Sequence, residues 1–219
     1  MALISLLHPS RGRATKSFEN AKEWIAKAGV DVQLIVSIDE SDPQRSLYEE
    51  LYQEYMGFRS LDKFIISDNK SVVEATNKAA QASDGEILLY LSDDFKCFEN
   101  WGGEVLSAME MSKPQLIKVD DMLQQFGRDV LTIPIMNRKL YDALGYFWHP
   151  EYKSMFVDQD LFYTVMNMDA MKYCPEMKFE HQHYSVGKAI KDQTYQDSDA
   201  NWDQGKVLYQ SRKAQNFPR

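Results

Sequence analysis

Cysteine is scarce in this chain of 219 residues: there are two, Cys97 and Cys174. Two cannot make a disulfide framework, and neither sits in a Cys-x-x-Cys metal spacing, so a reducing, cytoplasmic setting is the expectation. Positive charge is also short, with 25 Lys and Arg against 33 Asp and Glu, a formal net charge of −8. That excludes a general nucleic-acid or anionic-membrane surface, since both need concentrated positive charge, but not a local basic groove. No apolar run approaches the length that spans a bilayer. "MALISLLHPSRGR" has no basic start and only a short apolar part, so it reads as a strand rather than a signal peptide. A glycine-rich phosphate loop is missing as well: the first turn, "HPSRGR", holds only Gly12. Repeats, low-complexity tracts and linkers are lacking, which argues for one domain over 1–219. What remains is an ordinary hydrophobic share of 44%, enough for a real core.

The first hundred residues alternate in character. Apolar runs at Leu3 to Leu7, in "DVQLIVSIDESDP", in "DKFIISDN" and in "GEILLYLSDDF" read as four strands. Between them, "SFENAKEWIAKAGV" places Phe18, Ala21, Trp24, Ile25 and Ala28 on one helical face, with Ser17 as a cap and Gly29 as the stop. "RSLYEELYQEYMGF" is amphipathic, and "SVVEATNKAAQASDG" starts at a capping Ser71 and ends before Gly85. Strand–helix alternation with strands apolar on both faces implies an α/β fold with a mostly parallel central sheet flanked by helices. Ligands bind such sheets beyond the carboxyl ends of the strands. The clusters His8 to Arg13, Asp39 to Asp42, Asp68 to Lys70 and Ser92 to Asp94 all follow strands, so they should converge on one rim.

The second half is less regular. A strand over Val130 to Met136, a helix from Asn137 to Gly145, a helix from about Asp158, a short strand bearing His181 and His183, and a polar helix over Trp202 to Arg212 are expected.

Several residues could do chemistry. Asp93 and Asp94 follow a strand whose hydrophobicity makes it central; they either cap a turn or bind a hard cation. Adjacent carboxylates raise each other's pKa unless something positive compensates. His181 and His183 alternate, so on a strand both would face one site and suit Mn²⁺ beside carboxylates, or be ordinary histidines. His8 and His149 read as structural or turn residues. Asp158 and Asp160 either cap a helix or supply a general base. Arg11 and Arg13 either hold phosphate oxygens or lie in a solvated turn, and Asp39 either accepts from a nucleobase or caps the next helix. Tyr146, Phe147, Trp148, Tyr152 and Phe156 read as core or lid packing, with one or two available to stack on a sugar or base.

Taken in order, "LISLLHPSRGR", "VQLIVSIDESDP", "ISDNKSVVEATNKAAQASDGEILLYLSDDF" and "GYFWHPEYKSMFVDQDL" resemble the GT-A glycosyltransferases, particularly the family-2-like group and its small phage-type or bacterial members. The resemblance covers most of the chain, with "A..S.GEILLYLSDD" the closest piece. It implies a GT-A, Rossmann-like fold: residues 1–100 bind the nucleotide-sugar, and a less regular half, 101–219, carries the acceptor side, the catalytic residue and a tail. It implies donor contacts from Pro9, Arg11, Arg13, Asp39, Asn69, Asn77 and Asp93, a Mn²⁺ or Mg²⁺ ion held by Asp94 with His181 or His183, and Asp158 as base. Where the family has Asp-x-Asp this sequence has Ser92-Asp93-Asp94. That leaves Asp94 as the metal residue and Asp93 as a ribose or supporting contact. Ser71 stands where the family's turn has Gly, and Val157 where Glu precedes the acidic motif.

The resemblance therefore implies metal-dependent transfer of a hexosyl group from a nucleotide-sugar, UDP-sugar first, to an acceptor hydroxyl with inversion. The acceptor would be a saccharide or another hydroxyl-bearing molecule. A modified base in phage DNA is included, for which Arg128, Arg138 and Lys139 could form a local patch. Two rivals are a nucleotidyltransferase, disfavoured by the lone Gly12, and a non-catalytic sugar- or nucleotide-binding module, kept open by Ser92.

Overall fold

A computed structural model describes residues 3–56, 59–123 and 128–219. The first half runs β1 (Ile4–Pro9), α1 (Ala14–Ala26), β2 (Val32–Asp39), α2 (Arg45–Met56), β3 (Lys63–Ser67), α3 (Val72–Ala82), β4 (Ile87–Tyr90) and β5 (Phe95–Lys96). The second runs α4 (Trp101–Ala108), β6 (Leu116–Asp120), β7 (Ile135–Asn137), α5 (Arg138–Leu144), α6 (Val157–Asn167), β8 (Met171–Lys178), β9 (Glu180–His181), a 3₁₀ turn (Tyr184–Val186), α7 (Gln193–Asp199) and α8 (Trp202–Ala214).

Seven strands form one sheet in the order β3-β2-β1-β4-β7-β6-β8. β3, β2, β1 and β4 run parallel; β7 is antiparallel to both β4 and β6, and β8 is parallel to β6. β5 and β9 pair separately. β4 sits in the middle of the order, as its continuous apolar run requires. The period of two sorts its neighbours cleanly. Ile4, Leu6, Leu34, Val36, Ile87 and Leu89 enter the core that holds Phe18, Trp24 and Trp101. Leu7, Ile35 and Leu88 point the other way, to Val73, Ala79, Leu140 and Val165. Fully buried rings such as Trp24, which stacks on Phe179 at 5.2 Å and 9°, contribute about 1.5–3 kcal/mol each. Gly85 opens β4 where a Cβ would stand 2.4 Å from Ser5 Oγ, so no larger residue fits that approach.

Several expectations need correction. Ser17 does not cap α1. The helix begins at Ala14, because its first amides are satisfied from afar: Ala14 N–H donates to Gln44 Oε1 and Arg13 N–H to the Tyr48 hydroxyl. Ser17 is instead buried. The strand expected over Val130 to Met136 shrinks to Ile135–Asn137, since Pro134 has no N–H to give a ladder. His181 ends β9, whereas His183 lies beyond it and caps the 3₁₀ turn by accepting from Ser185 N. α4, β6 and α7 have no counterpart in the pattern reading, and the stretch "KYCPEMKFEHQHYSVGK", expected to hold one short strand, is divided between β8 and β9.

A cleft at the carboxyl ends of the strands

The four polar clusters do converge. Pro9, Ser10, Arg11 and Arg13 at and after the end of β1, Asp39 and Ser41 at and after the end of β2, Asp68 to Ser71 after β3, and Ser92 to Asp94 after β4 line a cleft of about 530 Å³. Lys153, Ser154, Thr194, Tyr195, Asp197, Ser198 and Asn201 close it from the second half. Ligand sites commonly enclose about 300–1,000 Å³.

The turn after β1 is fixed before any ligand arrives. Gly12 takes φ +65° and donates its N–H to Asp42 Oδ2 at 2.9 Å. Ser10 Oγ lies 2.7 Å from the Tyr48 hydroxyl and donates to Asp93 Oδ2 at 2.9 Å. On its far side Asp93 meets the imidazole of His8, whose Nε2 is 3.3 Å from Oδ1, and Arg13 Nη1 is 3.8 Å from Oδ2. The Leu91 carbonyl can only accept, so His8 Nδ1, 2.9 Å away, carries a hydrogen; Nε2 is 2.7 Å from Ser17 Oγ. Burial would push this imidazole's pKa down, but the hydrogen bond and charge of Asp93 outweigh it and raise it. His8 is thus the buried support of Asp93. A histidine ending an otherwise apolar strand was the available signal.

Asp94 points the other way. Its Oδ2 accepts from the Tyr195 hydroxyl at 2.6 Å and lies 3.3 Å from His181 Nε2. The His181 ring is held by stacking on Phe95 at 4.2 Å and 22°. Burial alone would raise the Asp94 pKa. The hydrogen bond and electrostatic pull of His181, then the bond from Tyr195, hold it well below the usual carboxylate range. Asp94 Oδ1 and His181 Nδ1 are both buried without a hydrogen-bond partner. Orphaned buried polar atoms are costly, and on a carboxylate–imidazole pair they fit a share of a divalent cation's shell. Among the described residues no group of three or more His, Cys, Asp or Glu is placed to hold a metal, so a cation here would take its other ligands from a bound molecule. The His183 ring packs at 5.1 Å from His181, with its Nδ1 used by Ser185.

On the opposite rim, Asp39 Oδ1 accepts from Ser41 N–H and its hydroxyl and lies 3.2 Å from Arg11 Nη1; Oδ2 accepts from Asn69 N–H at 2.8 Å. Burial pushes its pKa up, but these donors bring it below the ordinary value. Asn69 is tied in turn to the Ile38 carbonyl.

Four expected site residues are not in the cleft lining: His181 and His183, which touch it through Asp94 and Tyr195, and Asn77 and Asp158. Asn77 Oδ1 accepts from Phe147 N–H and Trp148 N–H, and Nδ2 donates to the Trp148 carbonyl, so it clamps the loop after α5 and is not in the cleft lining. Asp158 begins α6 outside that lining, half-buried, with Oδ1 accepting from Gln159 N–H. Burial, and less strongly the charge of Asp121, raise its pKa. Its neighbour Asp160 is committed to Arg212, at 2.6 Å, and to the Tyr152 hydroxyl. Of the suggested basic patch, Arg138 is spent on the carbonyls of Ser83 and Gly85, and Lys139 on that of Ser112.

The sequence matches no protein-family model and no curated protein. Solved structures do match in shape. A mannosyltransferase from Pyrobaculum calidifontis, PcManGT, in complex with GDP-Man and Mn²⁺ aligns over 97% of this chain and 64% of its own, with a TM-score of 0.71 at 12% identity. S. aureus TarS (residues 1–349) in complex with UDP-GlcNAc aligns over 90% of this chain and 64% of its own, with a TM-score of 0.62 at 14% identity. GalNAc-T7 with UDP, GalNAc and Mn²⁺ aligns over 99% and 51%, with a TM-score of 0.64 at 12% identity. The chain therefore spans 51–64% of the length of these structures. With its mostly parallel seven-stranded sheet, its flanking helices and these neighbours, this chain has the GT-A fold.

Proposed function

We propose that the protein is a metal-dependent glycosyltransferase that moves a hexosyl group from a nucleotide-sugar to an acceptor hydroxyl. The observation that carries this reading is the tip of β4. There Asp94 and His181 present orphaned polar atoms, and Arg13 lies across the cleft floor. The Mn²⁺ bound by PcManGT and by GalNAc-T7 supports a divalent cation at that corner, and the UDP bound by TarS and by GalNAc-T7 favours a uridine nucleotide.

Asp94 and His181 would hold the cation, with His183 behind them. Bound there, it would supply positive charge to the departing diphosphate. Asp39 and Asn69 would receive the base, Asp93 the ribose, and Pro9 would shape the floor. Arg11 and Arg13 would meet phosphate oxygens through charge-assisted hydrogen bonds. Asp158, with a pKa raised by burial but outside the lining of the cleft as it stands, would take the proton of an acceptor seated against the start of α6 as its oxygen attacks the anomeric carbon, giving inversion in one displacement. Residues 1–100 would thus bind the donor and 101–219 the acceptor, of which the recognised part is a hydroxyl. Two buried free cysteines, Cys97 and Cys174, favour the reducing cytoplasm. Among the described residues no helix is long and apolar enough to cross a membrane.

A thermal-shift series tests this. UDP and GDP, each with and without MnCl₂, should raise the melting temperature only when the metal is present, because a ligand of the native state stabilises it. No shift with either diphosphate would refute the reading.

A further inference from the structure

The segment from Asp192 to Asn201 crosses the cleft from the far end of the chain. Asp192 gives both carboxylate oxygens to Arg13, at 2.7 Å from Nε and 2.7 Å from Nη2. The Thr194 hydroxyl donates to the Arg11 carbonyl at 3.0 Å. The Tyr195 hydroxyl donates to Asp94 at 2.6 Å, while its ring lies against the Arg13 guanidinium, 4.7 Å from Cζ to the centroid. Ser154, on the same side of the cleft, donates to the Ser198 carbonyl at 3.2 Å.

These contacts imitate a ligand. A carboxylate on a guanidinium uses the two-pronged geometry that a phosphate would use. The Tyr195 hydroxyl hydrogen puts partial positive charge on Asp94 Oδ2, one of the two oxygens a cation could draw on, and leaves Oδ1 open. Arg13 has its two-pronged Nε–Nη2 edge taken by Asp192, its Nη1 faces Asp93 at 3.8 Å, and its side chain is 8% exposed, so a phosphate would have to displace Asp192 to use that edge. Asp192 is 41% exposed, and partly exposed ion pairs are weak enough to exchange.

We propose that α7 is a built-in competitor of the donor: with Asp192 on Arg13 and Tyr195 on Asp94, it occupies the groups that grip a metal-bound diphosphate, and donor entry requires its release. This rests on the reading that the cleft binds a nucleoside diphosphate. A strap that must be displaced lowers apparent affinity by the fraction of molecules in which it is closed.

The test is calorimetric titration of UDP and of GDP, with saturating MnCl₂, into the wild-type protein and Asp192→Asn. Asparagine keeps the cap that residue 192 makes to Tyr195 N–H, so α7 can still form while its anion is lost. The variant should bind about two- to fivefold more tightly, the size expected on removing one partly exposed ion pair. In the wild type, amide exchange over α7 should speed up when UDP and Mn²⁺ are added. Equal or weaker binding by the variant overturns the proposal. So does α7 exchange that slows or stays unchanged on adding UDP, since tightening would then reflect only the lost charge. Binding by the wild type with either of these results sinks the strap alone; no binding by either protein sinks the strap and the functional reading together.

Discussion

The two walls of the cleft are built by opposite means. The wall from the first half consists of the ends of four adjoining strands, and its side chains are fixed by one another's turns: Gly12 by Asp42, Asn69 by Asp39, Asp93 by Ser10 and His8. The wall from the second half is α7 with its flanking residues and the loop at Lys153 and Ser154, held by a few long tethers such as Arg13–Asp192 and Tyr195–Asp94. Preorganised groups on rigid strands suit recognition of an invariant part such as a nucleotide. A tethered wall suits the part of a site that has to open and close.

Three substitutions sharpen that contrast. The largest effect is expected from Asp158→Asn, at the proposed base, which lies outside the cleft lining and touches neither wall's donor groups. Transfer, read by mass spectrometry of the product, should slow about 10²–10⁴-fold, while UDP affinity stays unchanged. Normal turnover would remove Asp158 from the chemistry. Next is Arg212→Met. Asp160 is 1% exposed, so losing its cation leaves a nearly buried charge; urea unfolding should show a loss of about 3–5 kcal/mol. A change below 1 kcal/mol would mean that α8 is held by apolar packing alone. The smallest effect is expected from Asn77→Ala. It leaves the amides of Phe147 and Trp148 without their acceptor, costing about 1–3 kcal/mol in stability. UDP affinity should be unaltered, whereas a donor contact at Asn77 would lower it.

The same contrast explains what could be read from the sequence. β1, β2 and β4 are buried on both faces, so they read as apolar runs, and the residues after them fall on one rim without further information. β3 was legible too, although it is an edge strand. In the second half the signals are broken. Lys118 interrupts β6, Gly102 and Gly103 dilute α4, and Pro175 sits inside the edge strand β8. α7 is polar throughout and offers no periodic stripe. Asp192 and Tyr195 could not be seen because their partners, Arg13 and Asp94, lie far away in sequence. Asn77 went astray for a related reason: its position matches an asparagine the family carries on the helix after its turn, but its amide is consumed by a loop that only the tertiary structure brings near.

The most direct test of the account is the location of manganese. In crystals grown with MnCl₂ and UDP, an anomalous difference map should place one Mn²⁺ in coordination distance of Asp94 and His181, with diphosphate oxygens completing its shell. A manganese peak elsewhere, or UDP bound with that corner bare, would contradict it.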